Sequence, residues 1–459
     1  MILKDLTPYL QSFEGYTELR VQENRSTRIA IVQGNITSNT KVASSGVSAR
    51  VYQDGYWGFA SNPLISEQEI KNVIRSATDN ALFLSSKEPS RGNRLPVRNT
   101  HSINDYTTHK SPKTQKEMIE FLMDLDQYII THCKGISSRF VNLQMLDMEK
   151  SLLTSDGSSS YSMIPRAHIS IGMSIVKDGE PVELYNVVGG FGQFEDVFES
   201  PGSLYEKIDE VYTHLEHKAH GCHAKAGIQD VILDADVVGI LAHEAIGHTT
   251  EADLVLGGSI AGELLGKPIA AELITLVDFA NTMDGKVCPV PVFVDDEGTA
   301  AEDCVIIERG ILKRFMHNKE TARIFGHEMT GNARAYEFSD EPLVRMRNTA
   351  ILPGTSRLDE MIASIDYGYY LMKSSNGQAD STSEFMFGII QGYEIKNGKL
   401  GNAIKDVTIS GVAIDVLKSV TMVSEDMIWK NNGFCGKKQL IPAALGGPAI
   451  RCKVNIGGR

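Results

Sequence analysis

The segment IQDVILDADVVGILAHEAIGH, from Ile228 to His248, predicts a buried strand followed by a buried helix. His243, Glu244 and His248 form an H-E-x-x-x-H pattern, one residue longer than the H-E-x-x-H of zinc peptidase helices. On a regular helix, residues four apart lie within about 40° of each other, whereas residues five apart diverge by roughly 140°. A regular helix would therefore not direct both imidazoles at one ion. Gly247, directly before His248, permits unwinding or a π-type widening that would bring them together.

These residue types suit a metallohydrolase, which needs a Lewis-acidic ion, an open position for water and a general base beside that water. In this interpretation His243 and His248 are the metal ligands and Glu244 is the base. Two other interpretations stay open from spacing alone. Glu244 and His248 are also four residues apart and could form a surface pair, and His243 could be a core histidine bonded to a backbone carbonyl.

A third protein ligand must come from elsewhere, since an open zinc site has three. Glu251 and Asp253 are near in sequence and offer carboxylates. Cys435 offers a thiolate, and its neighbours Gly433 and Gly436 predict a special turn rather than a strand core. A free cysteine is also a common small buried hydrophobe, so the residues alone leave the third ligand undecided.

A second histidine-rich segment, HLEHKAHGCH, is a rival metal site. It holds His214, His217, His220, Cys222 and His223, and histidines three apart at a helix end can bind metal. The segment offers no general base beside an open position, however. Protonated imidazoles also favour a helix C-terminus, so a solvated helix end is the better interpretation.

The whole chain predicts an α+β fold with a boundary near residue 225. Residues 1–225 mix strands and helices in a mixed α/β N-terminal half, with a further division into 1–110 and 111–225 left open. The Asp-Gly pair at 54–55 predicts a two-residue hairpin in this half. Residues 226–459 predict a mainly antiparallel β C-terminal half that carries the metal-binding helix near its start.

Capping boxes predict where two helices of the N-terminal half begin. Ser66 and Glu69 precede one apolar periodic segment, and Ser203 and Glu206 precede another. In this motif the serine hydroxyl accepts from the backbone N–H three residues later, and the glutamate carboxylate accepts from the serine N–H.

Composition excludes several classes of protein. A formal net charge of −13 over 459 residues opposes sequence-independent binding to nucleic acid. No stretch approaches the roughly eighteen apolar residues of a membrane span, and the first residues lack a signal-peptide pattern. The six cysteines are scattered without a C-x-x-C pair, which suits free thiols in a reducing compartment. We therefore expect a cytoplasmic protein without direct contact to nucleic acid or membrane.

The helix motif and several distant segments together resemble the TldD/PmbA family of metallopeptidases. The resemblance covers nearly the whole chain, and the matching segments stand in family order. They are GVSARVYQDGYWGFA (46–60), HEAIGHTTEAD (243–253), VFVDDEGTAAEDCVIIERGILKRFMHNKETA (292–322), GNARAYEFSDEPLVRMRNTAILPG (331–354), NGQAD (376–380), FMFGIIQGYEIKNGKL (385–400) and GFCGKKQLIP (433–442).

This resemblance implies a role for each motif residue. His243 and His248 match the two histidine ligands of the family, Cys435 matches the third metal ligand, and Glu244 matches the catalytic glutamate. Because all four are present, the chain resembles the catalytic TldD-type member rather than the PmbA-type (TldE) partner that lacks the motif. The AYEF sequence in the G-N block departs from the more polar residues of related chains, which bears on substrate preference.

The resemblance also implies a zinc-dependent peptidase that hydrolyses small or unfolded peptides inside a closed dimer. The partner would be an identical chain or a TldE-like chain, and older naming calls members modulators of DNA gyrase. Two other functions remain open: a non-enzymatic regulator with a structural motif helix, and a metal-dependent amidase acting on a small molecule. We expect a peptide substrate to add as a β-strand along an exposed sheet edge in the C-terminal half.

Overall fold

The computed structural model describes residues 2–87, Gly92 and 94–457, and the element bounds that follow refer to these residues. In chain order, the helices are α1 (Glu67–Ser85), α2 (Gln115–His132), α3 (Phe194–Val197), α4 (Tyr205–Ala219), α5 (Ala235–Ile240), α6 (Ala252–Leu256), α7 (Lys319–Phe325), α8 (Leu358–Ala363) and α9 (Ala413–Lys418). A π-helix (Leu241–Gly247) and a 3₁₀ turn (His248–Thr250) continue α5, and we call residues 235–250 the motif helix. Other 3₁₀ turns are Thr7–Ser12, Pro201–Leu204 and Ile260–Glu263.

The strands are β1 (Tyr16–Val32), β2 (Asn35–Gln53), β3 (Tyr56–Asn62), β4 (His101–Asp105), β5 (Ser138–Thr154), β6 (Ser159–Lys177), β7 (Glu180–Phe191), β8 (Gly227–Leu233), β9 (Leu276–Phe279), β10 (Thr282–Met283), β11 (Lys286–Val287), β12 (Cys304–Glu308), β13 (Ile311–Leu312), β14 (Ala333–Arg334), β15 (Leu343–Val344), β16 (Asn348–Ile351), β17 (Tyr367–Ala379), β18 (Glu384–Lys396), β19 (Lys399–Ala403), β20 (Val407–Val412), β21 (Met422–Val423), β22 (Ile428–Lys437), β23 (Gln439–Gly447) and β24 (Ile450–Ile456).

The first part of the chain forms one large, mostly antiparallel sheet in the order β3-β2-β1-β5-β6-β4, with β7 also paired to β6. Its strands are long enough to support two separate groups of helices. At one end, Leu19 and Val21 of β1 share a buried cluster with residues of α1, and at the other end Ile29 and Ile31 share one with residues of α2 and α4. Alternating apolar residues along β1 thus fix both ends of the sheet against helices.

The hairpin predicted at the Asp-Gly pair is confirmed, because Asp54 and Gly55 both adopt positive φ angles (51° and 95°) between β2 and β3. At the start of α1, the Ser66 hydroxyl accepts from the N–H of Glu69, as predicted. The other half of the predicted capping box differs: the Glu69 carboxylate accepts from the Asn62 amide (2.7 Å).

The helix start predicted from the Ser203/Glu206 capping box is wrong. Residues 201–204 form a 3₁₀ turn, α4 begins at Tyr205, and the Ser203 hydroxyl donates to the carbonyl of Ser200 at 2.7 Å. Pro201 explains the difference, since its fixed φ and missing N–H favour the first position of a helical turn.

The second part of the chain forms two further large sheets and two small two-stranded ones, β10–β11 and β14–β15. One has the order β13-β12-β9-β16-β23-β22, and in the other β17, β8, β24, β20 and β18 form a closed strand ring because β18 also pairs with β17. Most pairings are antiparallel, with β16–β23 and β8–β17 as parallel pairs. The predicted α+β fold class is confirmed, whereas the division of the chain into units at residue 225 stays a prediction.

The motif helix is packed between the strand ring and strand β23. Val237, Val238 and Leu241 are fully buried in the largest hydrophobic cluster, so this helix belongs to the core and not to the surface. On its other side, a Cβ atom at Gly239 would lie against the side chain of Leu445 and only 2.9 Å from the backbone nitrogen of Gly446. Glycine therefore lets the helix approach the strand closely.

None of the helices over the described residues combines the length and the apolar character needed to cross a bilayer.

A fully buried ion pair joins strand β9 to Arg347, the residue before β16. The Asp278 carboxylate in β9 accepts from both Nε and the backbone N–H of Arg347, each at 2.8 Å, and also from Asn332 (2.8 Å) and Thr349 (3.0 Å). Both charged side chains have no exposed surface. Every oxygen of this carboxylate is thus satisfied inside the protein, as a buried charge requires.

We predict that Asp278→Asn destabilises the protein by about 3–5 kcal/mol, because the buried Arg347 guanidinium would lose its countercharge. Lys71→Met, which removes an exposed i,i+4 pair with Glu67 on α1, should have little effect. Denaturant unfolding of both variants measures the difference, and equal losses in the two would contradict this role of Asp278.

Candidate metal centre

The backbone of the motif helix widens at the H-E-x-x-x-H pattern. Residues 241–247 form a π-helix, in which the N–H of His248 donates to the carbonyl of His243, five residues earlier. A π-turn brings residues i and i+5 into register, so the two histidines lie on the same side of the helix. The π-type widening expected from the spacing is therefore present.

Gly247 acts differently from the conformational role expected of it. Its φ of −55° and ψ of −56° are ordinary helical values. A Cβ atom there would overlap Sδ of Met346, a buried residue of the segment before β16. The glycine is needed for close packing against Met346, which holds the widened turn from outside.

The widened turn brings His243 and His248 to Cys435. One ligand atom from each of the three lies within 4.8 Å of the others, and Sγ of Cys435 is 3.1 Å from Nε2 of His248. The two imidazole rings are 5.2 Å apart and nearly perpendicular. His243 is buried, and over the described residues its Nδ1 has no hydrogen-bond partner.

Cys435 lies in strand β22, so the expectation that it sits on a special turn is wrong. The turn comes three residues later at Lys438, whose φ is 58°. The buried guanidinium of Arg345 donates to the carbonyls of Cys435 (2.6 Å) and Gln439 (3.0 Å). Arg345 thus binds both strands of the β22–β23 hairpin and fixes the position of Cys435.

The charges at the three residues are strongly coupled. Burial raises the pKa of the Cys435 thiol, but the imidazoles of His243 and His248 outweigh it and bring this pKa to about 4. Burial lowers the pKa of His248, whereas Glu251 and Cys435 raise it well above its usual value. The centre therefore favours a thiolate beside an imidazole that has a carboxylate partner.

The carboxylates considered as third ligands lie behind His248 rather than beside Cys435. Oε2 of Glu251 accepts from Nδ1 of His248 at 2.8 Å and from Nζ of Lys437 at 3.0 Å. Asp253 also accepts from Lys437, at 2.8 Å. Of the three candidates for the third ligand, the structure brings only Cys435 together with both imidazoles.

Glu244 faces an open cleft next to these residues. Its Oε2 is 3.7 Å from Nε2 of His248, and its side chain is 29% exposed. The cleft has a volume of about 380 Å³ and is also lined by His248, Thr249, Ser259, Asp380, Gly436 and Lys437. A molecule entering the cleft would thus meet Glu244 and His248 on one wall.

The rival histidine segment forms no comparable group. Nδ1 of His214 and Nδ1 of His217 both contact the hydroxyl of Tyr393, at 2.7 and 3.0 Å, and Nδ1 of His220 contacts the carbonyl of Glu216 at 2.9 Å. Within the part of the chain that the structure describes, His243, His248 and Cys435 form the one group of three or more histidine, cysteine or acidic side chains placed so that they could hold a metal ion.

Three residues near the centre were not identified from the sequence. Arg345 and Lys437 hold backbone or side-chain groups of the centre, and the Ser383 hydroxyl donates to the carbonyl of Ala245 in the π-helix at 2.6 Å. Lys437 follows Cys435 at a spacing of two, which places both side chains on one face of a strand. The spacing would have indicated that Lys437 lies next to the centre only if Cys435 had been predicted to lie in a strand.

The donor set fits a divalent transition metal such as zinc. A thiolate and two imidazoles are ligands that Zn²⁺ prefers, and three protein ligands leave one position open. The unpartnered Nδ1 of buried His243 is a polar atom that an ion bound directly to it would compensate.

Comparisons with known proteins agree on one family. A family model described as the PmbA/TldA metallopeptidase C-terminal domain matches residues 226–458, and one described as PmbA/TldA metallopeptidase domain 1 matches residues 17–81. A protein of Saccharolobus solfataricus named zinc metalloprotease TldD homolog is 31% identical over 448 residues, which cover 95% of this chain and 96% of that protein. A metalloprotease of Methanocaldococcus jannaschii is 31% identical over 454 residues, covering 95% of each chain.

The fold is also found in a solved structure, TldE from Thermococcus kodakarensis, which superposes with a TM-score of 0.77 at 17% identity over 99% of both chains. At this identity the likeness concerns the fold alone. Given the match of the C-terminal family model and the relatives at 31% identity over almost the full length, the chain belongs to the PmbA/TldD family of metallopeptidases.

Proposed function

We propose that this chain is a zinc-dependent peptidase that hydrolyses small or unfolded peptides. His243, His248 and Cys435 hold the ion, and Glu244 is the general base. The observation that carries the proposal is the convergence of the three donor side chains beside an open cleft that also contains Glu244. The zinc metalloprotease name of the Saccharolobus relative supports the choice of metal.

A zinc ion bound here would supply Lewis acidity toward the scissile carbonyl and the attacking water. Glu244 takes the proton from that water and delivers it to the leaving amine. Because the Cys435 thiolate offsets part of the ion's positive charge, more of the proton removal falls to Glu244 than it would with three neutral histidines. The cleft beside Glu244 leaves room for the reacting peptide bond.

An extended peptide would bind along the edge of β22. Over the described residues this strand is the outermost of its sheet, paired to β23, and it carries Cys435. Strand addition uses main-chain hydrogen bonds, so it tolerates varied side chains. This mode would bring a peptide bond of the added strand to the metal centre.

The protein would act in the cytoplasm as a dimer, with an identical chain or with a TldE-like chain. The likeness of its fold to TldE supports a partner of the same architecture. The free cysteines support a reducing compartment.

We predict that Glu244→Gln lowers the rate of peptide hydrolysis by a factor of about 10²–10⁴, because the amide cannot take a proton. The variant should still bind one metal ion per chain, because the amide keeps the shape of the side chain. Glu272→Gln, at an exposed surface pair with Arg309, serves as the control. Cleavage of an unfolded peptide and metal analysis are measured on the same samples. Full activity in Glu244→Gln would remove this mechanism, and a metal-loaded wild type inert to peptides would favour the small-molecule amidase.

Cys435→Ala should lose most of the metal affinity, since it removes the only anionic ligand. Cys288→Ala, at another buried cysteine, should keep it. Zinc affinity measured by competition with a chromophoric chelator separates the two. Unchanged affinity in Cys435→Ala would instead favour Glu251 or Asp253 as the ligand.

The metal-free protein should carry one thiolate at pH 6, because the pKa of Cys435 is about 4 and an ordinary thiol stays protonated there. Lowering the pH through this pKa should protonate it. The measurement is the difference in ultraviolet thiolate absorbance between the wild type and Cys435→Ser. A difference that emerges only above pH 8 would contradict the coupling of the thiol to the two imidazoles.

A further inference from the structure

Lys437 lines the cleft, but its ammonium group is fully engaged inside the protein. Nζ donates to Oε2 of Glu251 (3.0 Å), to Asp253 (2.8 Å) and to the carbonyl of Val344 (2.7 Å). The side chain is 11% exposed. A lysine has three N–H donors, and here each has an acceptor. Lys437 is therefore built to hold protein groups and not to bind a substrate.

Glu251 connects this lysine to a proposed ligand. Its side chain is fully buried, and the same oxygen that accepts from Lys437 also accepts from Nδ1 of His248. Because Nδ1 is engaged as a donor, Nε2 is the nitrogen left to face Sγ of Cys435. The carboxylate thus determines both the tautomer and the orientation of the imidazole.

The same contact joins the two elements that carry the proposed ligands. Glu251 follows His248 by three residues at the end of the motif helix, and its backbone N–H donates to the carbonyl of His248 at 3.2 Å. Lys437 follows Cys435 by two residues in β22, so both side chains leave the strand on one face. The ion pair between Glu251 and Lys437 therefore fixes the end of the motif helix against β22, next to Cys435.

We propose that Lys437 and Glu251 are positioning residues that preorganise the metal centre before an ion binds. Lys437 holds Glu251, and Glu251 holds His248 with Nε2 directed at the position between the imidazoles and the thiolate. The inference rests on the metal binding in the proposed function and not on peptide cleavage. Partners that orient a ligating histidine in this way contribute about 10–100-fold to metal affinity.

The chain offers a matched control for Lys437. Nζ of Lys150 donates to both carboxylate oxygens of Asp296 (3.0 and 2.7 Å) and to the carbonyl of Ala335 (2.7 Å). Its side chain is similarly buried, at 17% exposure. Lys150→Met removes the same kind of buried ammonium group without touching His248, Glu251 or Cys435.

The experiment compares zinc affinity and melting temperature in the wild type, Lys437→Met, Glu251→Gln and Lys150→Met. We expect both lysine variants to melt at a lower temperature, and we expect only Lys437→Met and Glu251→Gln to bind zinc about 10–100-fold more weakly. The ligand-field spectrum of bound Co²⁺ should also change in Glu251→Gln, because the imidazole loses its anionic partner.

Zinc affinity within twofold of the wild type in both Lys437→Met and Glu251→Gln would overturn the inference. So would an equal loss of affinity in Lys150→Met, since the effect would then be general destabilisation. If Lys437→Met does not fold, the nearly isosteric Glu251→Gln decides alone. A wild type that binds no metal would instead refute the proposed function, whereas a metal-binding wild type without peptidase activity would leave this inference standing.

Discussion

The candidate centre depends on one backbone hydrogen bond, from the N–H of His248 to the carbonyl of His243. In a regular helix this N–H would bond to Glu244, and the two imidazoles would point in different directions. A π-turn is rare and occurs mostly as a single turn inside an α-helix, so its surroundings must stabilise it. Met346 packs where a side chain on Gly247 would lie, and Ser383 donates to the carbonyl of Ala245 inside the turn. Ser383 itself has a φ of 70°, which is strained for a serine and shows how firmly its position is determined.

Buried charges keep the two sides of the centre in place. Arg345 donates to backbone carbonyls in both strands of the β22–β23 hairpin, and Arg347 pairs with Asp278 of β9. These arginines are two residues apart in the segment that also carries Met346 between them. Within this segment, Arg345 therefore supports the strand that carries the thiol, Met346 packs against the π-turn, and Arg347 binds Asp278 of β9. A misplacement of this segment would disturb both the helix and the strand that carry the proposed ligands.

Features that depend on neighbouring residues could be predicted from the sequence. The turn at Asp54-Gly55 and the helix after Ser66 follow from local backbone preferences. The H-E-x-x-x-H spacing predicted an unwound or widened helix on the condition that both histidines bind one ion. Errors arose where a local signal had competition, as when Pro201 displaced the expected helix start at Ser203. Glycines around Cys435 suggested a turn, but pairing with β23 keeps this segment extended.

Other features depend on contacts between distant parts of the chain, which spacing does not encode. Lys437 meets Glu251 across 186 residues, and nothing local to either residue marks them as partners. Closure of the strand ring likewise depends on β18 pairing with both β17 and β20. Spacing alone left the third ligand undecided for the same reason, and Cys435 was singled out only by the family resemblance, since it reaches the histidines through the packing of β22 against the motif helix.

X-ray absorption spectroscopy of the zinc-loaded protein tests the central claim most directly, because it counts the atoms around the ion. We predict one sulfur at about 2.3 Å and two imidazole nitrogens at about 2.0–2.1 Å, with one further light atom in the remaining position. A zinc environment without sulfur, or with a single imidazole, would contradict the convergence of His243, His248 and Cys435 on one ion.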